Sequence, residues 1–271
     1  NILLEPEGKN TAPAVCWAAS VIHKRNSQAV MAVLPSDHLI VKTPAFLSAL
    51  EDAVDLARTD HLVVFGITPN RPETGYGYFK THQMGAGKNA YLKVIKFIEK
   101  PSLDRAMKFL QEKNYFWNSG MFVWKTEMIL NEFKRFQPVI YDLLSAKNLS
   151  RIPNIWKKVP SISIDYAILE KSNQVAAVAA KNIGWSDVGS WQSLSEVSSV
   201  DFDKNVFKGD ILDIGSQNTL VWSSSRLVAT IGLKDMIVVD TPDALLVCRM
   251  DQCQKVKDIV GLLMKGKRKE T

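Results

Sequence analysis

The chain switches between two spacings of apolar residues. At helical spacing, Phe46, Leu47, Leu50, Val54 and Ala57 recur along Pro44–Ala57 and predict an amphipathic helix. Thr11 can cap an earlier helix, with Pro13 in its first turn and small or apolar residues from Ala14 to Ile22. Ala29–Leu34 and Leu62–Ile67 are apolar without alternation, as expected of strands covered on both faces. A strand–helix–strand succession of this length predicts a right-handed crossover and a mostly parallel sheet, hence a Rossmann-like α/β fold.

The middle of the chain adds a β-prone stretch, Tyr91–Ile98, and a helix over Ser102–Lys113 with Ala106, Phe109 and Leu110 facing inward. A strand is expected over Tyr115–Trp124, interrupted at Asn118-Ser119-Gly120. Two helices should follow within Thr126–Lys147, and Val175–Ala180 is a short apolar strand. Beyond Asn205 the pattern changes. Short apolar runs (Ile211–Ile214, Leu220–Trp222, Leu227–Ile231, Met236–Val239, Ala244–Cys248) alternate with Gly, Asp, Asn and Ser turns, as in a small barrel or a β-helix-like stack. Lys255–Met264 reads as a closing helix. The expected division is 1–202 for the α/β domain and 203–271 for a small β-rich domain.

Composition narrows the function classes. With 46% apolar and 23% charged residues among 271, the chain is globular and long enough for a substantial core. No apolar run approaches the ~20 residues of a membrane span, and no signal peptide opens the sequence. Cys16, Cys248 and Cys253 have no metal-ligand spacing and are odd in number, which fits free thiols in a reducing cytoplasm. The net charge of +6 comes from scattered Lys and Arg, with one dense cluster in the tail Lys265-Gly266-Lys267-Arg268-Lys269. No basic and aromatic stripe supports nucleic-acid binding; a mildly basic chain suits anionic substrates.

Candidate chemistry lies where apolar runs end. Asp37, in Pro35-Ser36-Asp37-His38, follows one run, and Asp187, in Gly184-Trp185-Ser186-Asp187-Val188-Gly189-Ser190-Trp191, follows another. Carboxylates gathered at strand ends suit a Mg²⁺ site for phosphoryl transfer, if the fold brings them together. Asp37 and His38 could equally start a loop and satisfy local backbone groups. Asn10 and Thr11 sit in a polar loop entering a helix, where free N–H groups attract anions or serve only as a plain cap. Gly75 and Gly77 flank Tyr76 in a loop that lets backbone approach a ligand, or that merely turns a hairpin. Glu99-Lys100 is either a sugar and phosphate contact or a solvated ion pair. Asn118-Ser119-Gly120 breaks an aromatic run, as functional sites do. Asp165, in Ser163-Ile164-Asp165-Tyr166, reads equally as a helix cap. From the residues alone the chain is a Mg²⁺-dependent α/β enzyme of phosphate chemistry with no named substrate.

These segments, taken in order with Phe97…Glu99-Lys100-Pro101 and Trp117-Asn118-Ser119-Gly120-Met121-Phe122, resemble the bacterial mannose-1-phosphate guanylyltransferases over nearly the whole chain. The resemblance implies a nucleotide-diphospho-sugar transferase fold followed by a β-helix-like domain. It implies the reaction GTP + α-D-mannose 1-phosphate → GDP-mannose + pyrophosphate. Asp37 and Asp187 would hold Mg²⁺ as the catalytic pair, and Asn10, Thr11, Pro35 and Ser36 would lie at the nucleotide. Gly77, Glu99, Asn118, Gly120 and Asp165 would line the sugar phosphate, with Lys100 on its phosphate. A homodimer through the C-terminal domain is an accompanying expectation. The family opens with a strand and a glycine-rich loop bearing an Arg and a Lys. No such loop precedes Asn1, so a partial record of a longer protein is expected. Some members continue into a cupin-type isomerase domain, and no isomerase activity is expected of this segment. The rivals are transfer to another sugar 1-phosphate and a non-catalytic sugar-nucleotide-binding subunit.

Overall fold

The computed structural model describes residues 2–85, 91–146, 148, 151–189, 191–198, 200–266 and 268. Lys147, Ser190, Lys267 and Lys269, invoked above, lie outside them. The chain packs as two compact units, Asn1–Ser36 with Ile40–Gly184, and Asp37–Leu39 with Trp185–Thr271. Asp37, His38 and Leu39 therefore pack with the second unit although the chain on either side of them belongs to the first.

The first unit is built on a six-stranded sheet. Its strands are β1 (Val30–Val33), β2 (Leu62–Ile67), β3 (Tyr78–Met84), β4 (Tyr91–Ile98), β5 (Tyr115–Lys125) and β6 (Val175–Ala179). They lie in the order β1-β5-β2-β6-β4-β3, with β5 also pairing β3. The α/β class holds, but the mostly parallel ladder does not. β1, β2 and β6 do run the same way, yet β5 inserts antiparallel between β1 and β2, leaving β2–β6 as the parallel pairing among the described residues of this sheet. β4 and β5 both run antiparallel to β3, so the connection between them through the helix Leu103–Gln111 is a crossover past β3.

Two further expectations change. β1 is an edge strand with Ala32 exposed, not a strand covered on both faces. In the helix Thr43–Arg58 the buried stripe is Phe46, Ala49, Ala53 and Ala57, while Leu47 is 50% exposed. Three alanines in that stripe let the helix pack closely. The core gathers Trp124, Trp156, Phe79, Phe133 and Leu62 around α1 (Thr11–Arg25) and the sheet.

In the second unit, Val206–Lys208, Leu220–Ser223 and Met236–Asp240 stack in parallel, and Ile211–Ile214 pairs in parallel with Val228–Ile231. Parallel register decides between the two architectures in favour of the β-helix-like stack. Polar corners tie successive coils. Thr230 Oγ1 donates to Asp213 Oδ1 and Asn218 Nδ2 to Asp235 Oδ1, each pair 17 residues apart in sequence. Leu245–Arg249 closes the sheet antiparallel, and Val256–Lys265 is the final helix.

Candidate functional site

The expected interruption at Asn118-Ser119-Gly120 is a bulge inside one continuous strand. β5 runs unbroken from Tyr115 to Lys125, and its register against β2 slips between Val64 and Gly66. Ser119 Oγ donates to the Phe65 carbonyl at 2.9 Å and replaces part of the lost ladder. Gly120 takes φ +71°, a left-handed conformation open to glycine, and donates its N–H to Asn118 Oδ1 at 3.2 Å. The bulge re-aims Asn118, whose Nδ2 donates to Asp165 Oδ1 at 2.7 Å. Its backbone N–H donates to the Gly77 carbonyl at 2.8 Å.

Asp165 opens a short π-helical turn, Asp165–Leu169, and its carboxylate faces Asn118. Glu99 closes the other side. A Cβ on Gly77 would stand 2.6 Å from Glu99 Oε2, so a side chain there would push that carboxylate aside. Lys100 Nζ lies 3.6 Å from Glu99 Oε1, with its side chain 64% exposed and its backbone at φ +43°. Burial raises the Glu99 carboxyl above its ordinary pKa, and the nearby Asp165 charge adds to this while Lys100 opposes it. Burial likewise raises Asp165, against the Asn118 hydrogen bond and Lys100. The first unit thus gathers Gly77, Glu99, Lys100, Asn118, Gly120 and Asp165 into one cluster of acceptors, an amide and one cation. Such a set can take several hydroxyls and an anionic group.

The polar entry loop borders the same turn. Thr11 Oγ1 accepts from the Ile164 N–H at 2.8 Å, and Ala12 N–H donates to the Ile162 carbonyl at 3.1 Å. Asn10, at φ +66°, accepts from the Thr11 N–H at 2.9 Å, so the cap expected of this loop is present and falls on Asn10. Pro35 and the exposed Ser36 follow β1.

In the second unit, Asp37 and Asp187 both act electrostatically on His38. Trp185 Nε1 donates to His38 Nδ1 at 3.1 Å, with the rings edge-on at 5.4 Å. Burial lowers the His38 pKa, and the charges of both Asp37 and Asp187 oppose that shift, so both carboxylates lie within electrostatic reach of one imidazole. A Cβ on Gly189 would fall 2.7 Å from Asp187 Oδ2, so the carboxylate packs against that glycine. Asp37 and Asp187 offer hard oxygen donors of the kind Mg²⁺ takes, and would hold it there. Among the described residues no group of three or more His, Cys, Asp and Glu side chains forms a metal cage.

The sequence reading passed over Arg71 and Glu73. Glu73 is buried in the loop before Gly77, paired with Arg71, whose guanidinium lies over the Trp117 ring. The signal available was two opposite charges, two residues apart, in a Pro- and Gly-rich loop.

Comparison with known proteins places these features. A family model for nucleotidyl transferases matches residues 1–204, and one for the MannoseP isomerase/GMP-like beta-helix domain matches 209–263. The chain is 40% identical to a mannose-1-phosphate guanylyltransferase of Escherichia coli, over 100% of this chain and 61% of that protein. It is 41% identical to the xanthan biosynthesis protein XanB of Xanthomonas campestris, over 99% of this chain and 58% of that one. The chain therefore spans about three-fifths of the curated relatives it matches. The crystal structure of a mannose-1-phosphate geranyltransferase from Thermus thermophilus superposes with a TM-score of 0.86 at 31% identity, covering 97% of this chain and 77% of that one. A mannose-6-phosphate isomerase from Helicobacter pylori matches at TM-score 0.57 and 31% identity, over 68% of this chain and 73% of that chain.

Proposed function

The chain belongs to the mannose-1-phosphate guanylyltransferase family of nucleotidyl transferases, and we propose that it transfers GMP from GTP to α-D-mannose 1-phosphate. The products are GDP-mannose and pyrophosphate. One observation carries the reading: Gly77, Glu99, Asn118 and Asp165 converge, with Lys100 alongside, at the positions where the sequence resembles the family's sugar site.

The chemistry follows from these groups. Glu99 and Asp165 accept hydrogen bonds from hexose hydroxyls, and Asn118, held by Asp165 and Gly120, fixes the ring's orientation. Gly120 carries the turn that keeps Asn118 in place. Lys100 draws the sugar phosphate, whose oxygen attacks the α-phosphorus of GTP in line. The new P–O bond forms as the bond to pyrophosphate breaks. Asn10, Thr11, Pro35 and Ser36 line the nucleotide. Asp37 and Asp187 are the residues that would hold Mg²⁺, which supplies charge neutralisation on the phosphate oxygens. Positioning and electrostatics supply most of the rate enhancement in such transfers.

We place the domain boundary at 202/203 and the protein in the cytoplasm, where Cys16, Cys248 and Cys253 stay reduced. Among the described residues no helix is long and apolar enough to cross a membrane. The C-terminal stack turns Leu212, Ile214 and Ile231 outward from its two-stranded sheet, an apolar face that suits a homodimer contact. Pyrophosphate release with GTP, mannose 1-phosphate and Mg²⁺ tests the reaction. Turnover with mannose 1-phosphate but not glucose 1-phosphate is the expected result. GDP-mannose binding without turnover would replace the enzyme by a binding subunit.

A further inference from the structure

The loop from Thr68 to Gly77 holds a carboxylate that the reaction does not use. Glu73 is 8% exposed, although the loop connects two strands at the rim of the sheet. A buried charge at such a position is costly unless it is paired and hydrogen-bonded. Both conditions are met: Oε1 accepts the Gly75 N–H at 2.8 Å, and Oε2 accepts from Arg71 Nε at 3.3 Å.

Arg71 carries the link across to β5. Its guanidinium carbon stands 5.3 Å from the centroid of Trp117 and 6.0 Å from that of Tyr76. Tyr76 meets Trp117 edge-on at 5.2 Å. Trp117 is 4% exposed and directly precedes Asn118, whose N–H donates to the Gly77 carbonyl. The contacts close a ring: Glu73 fixes Gly75, Arg71 seats the loop on Trp117, and Gly77 is tied to Asn118. Gly77 also abuts Glu99, since a single added carbon would meet Glu99 Oε2 at 2.6 Å and displace that carboxylate.

We propose that Arg71 and Glu73 are positioning residues for the sugar phosphate. They hold the Gly77 main chain at the height that lets Glu99 and Asn118 face the hexose together. The pair touches neither reacting atoms nor metal; it acts through Gly77 and Asn118. The inference rests on reading the Gly77–Glu99–Asn118–Asp165 cluster as the sugar site. A loosened loop lets Glu99 relax into the space it now shares with Gly77, and the loss falls on sugar binding rather than on the nucleotide.

The test compares Glu73→Ala, Glu73→Gln and Arg71→Lys in the full chain, with KM for each substrate, kcat, thermal midpoint and equilibrium binding of mannose 1-phosphate. Glu73→Ala should raise KM for mannose 1-phosphate about tenfold, as loss of a charge-assisted hydrogen bond does, with KM for GTP unchanged. Glu73→Gln keeps an oxygen for the Gly75 N–H and should recover to within about threefold of wild type. Arg71→Lys should behave like Glu73→Ala, because an ammonium cannot lie flat on Trp117. Where Glu73→Ala fails to fold, the Gln and Lys variants carry the same comparison. Parallel changes in both KM values, or a lower midpoint with unaltered KM, would overturn the positioning role. Wild-type protein that fails to bind mannose 1-phosphate overturns the sugar site and the proposal with it. Wild-type binding matched by all three variants overturns the positioning role alone.

Discussion

Asn118 and Asp165 are 47 residues apart in sequence and joined by a 2.7 Å hydrogen bond from amide to carboxylate. The bond exists because β5 bulges at Ser119–Gly120 and because Asp165 begins a wide helical turn. It locks the Asn118 amide with its oxygen toward Gly120 and its nitrogen toward Asp165, which leaves one amide hydrogen for a ligand.

Burial penalises the charged forms of both carboxyls in this cluster, and the Asp165 charge adds to the penalty on Glu99. Glu99 and Asp165 both have raised pKa values, so the fold favours their neutral forms. That contribution is complete below the unfolded carboxyl pKa and is lost as pH rises through the folded one. Glu99→Gln should therefore melt about 2–4 °C above wild type at neutral pH, with the gap closing towards pH 4. The same variant should lose mannose 1-phosphate affinity. Thermal scans across pH, paired with calorimetric titration, read both; a variant that melts lower at neutral pH refutes the cost of the buried Glu99 charge.

Asp187→Asn keeps the shape of the side chain and removes a charge beside His38. It should abolish Mg²⁺-dependent turnover and weaken Mg²⁺ binding measured in the presence of GDP-mannose. The thermal midpoint should stay within a few degrees of wild type. Undiminished activity removes Asp187 from the site.

In the C-terminal stack, Asp240 is fully buried and accepts from Arg226 Nε at 3.0 Å and Nη2 at 2.5 Å. Arg226→Met strands that charge and should cost far more stability than the loss of an exposed ion pair, because it leaves a buried carboxylate without its cation. Arg249→Met breaks the exposed pair with Asp251 and should leave stability almost unchanged. Urea unfolding of the two variants gives the contrast directly; equal costs would deny Asp240 its dependence on Arg226.

Gly209 has φ +103°, and a Cβ there would collide with the Ser223 carbonyl. The neighbour is backbone and cannot swing aside. Gly209→Ala should destabilise the second unit by about 3 kcal/mol, while Gly215→Ala, with open space around it, should cost less despite its own positive φ. Circular dichroism melts of both variants rank them.

Periodicity and punctuation made much of this protein legible. The apolar run Leu62–Ile67 is a buried strand, the even spacing of short runs beyond Asn205 is a β-stack, and the break at Asn118-Ser119-Gly120 marks the cluster. These are local consequences of side-chain size, polarity and backbone freedom, which one stretch of sequence carries by itself.

Tertiary structure decided the rest. That β5 enters antiparallel between β1 and β2 depends on which edge the returning chain meets, and no local pattern encodes it. That Asp37 packs with Trp185 onward, rather than with the strand before it, depends on the His38–Trp185 contact. The burial of Glu73 is of the same kind. Its cost is local, but the Arg71 and Trp117 contacts that offset it come partly from another strand, and only the folded chain brings that strand alongside. Sequence set which residues could do chemistry; long-range packing chose which of them meet.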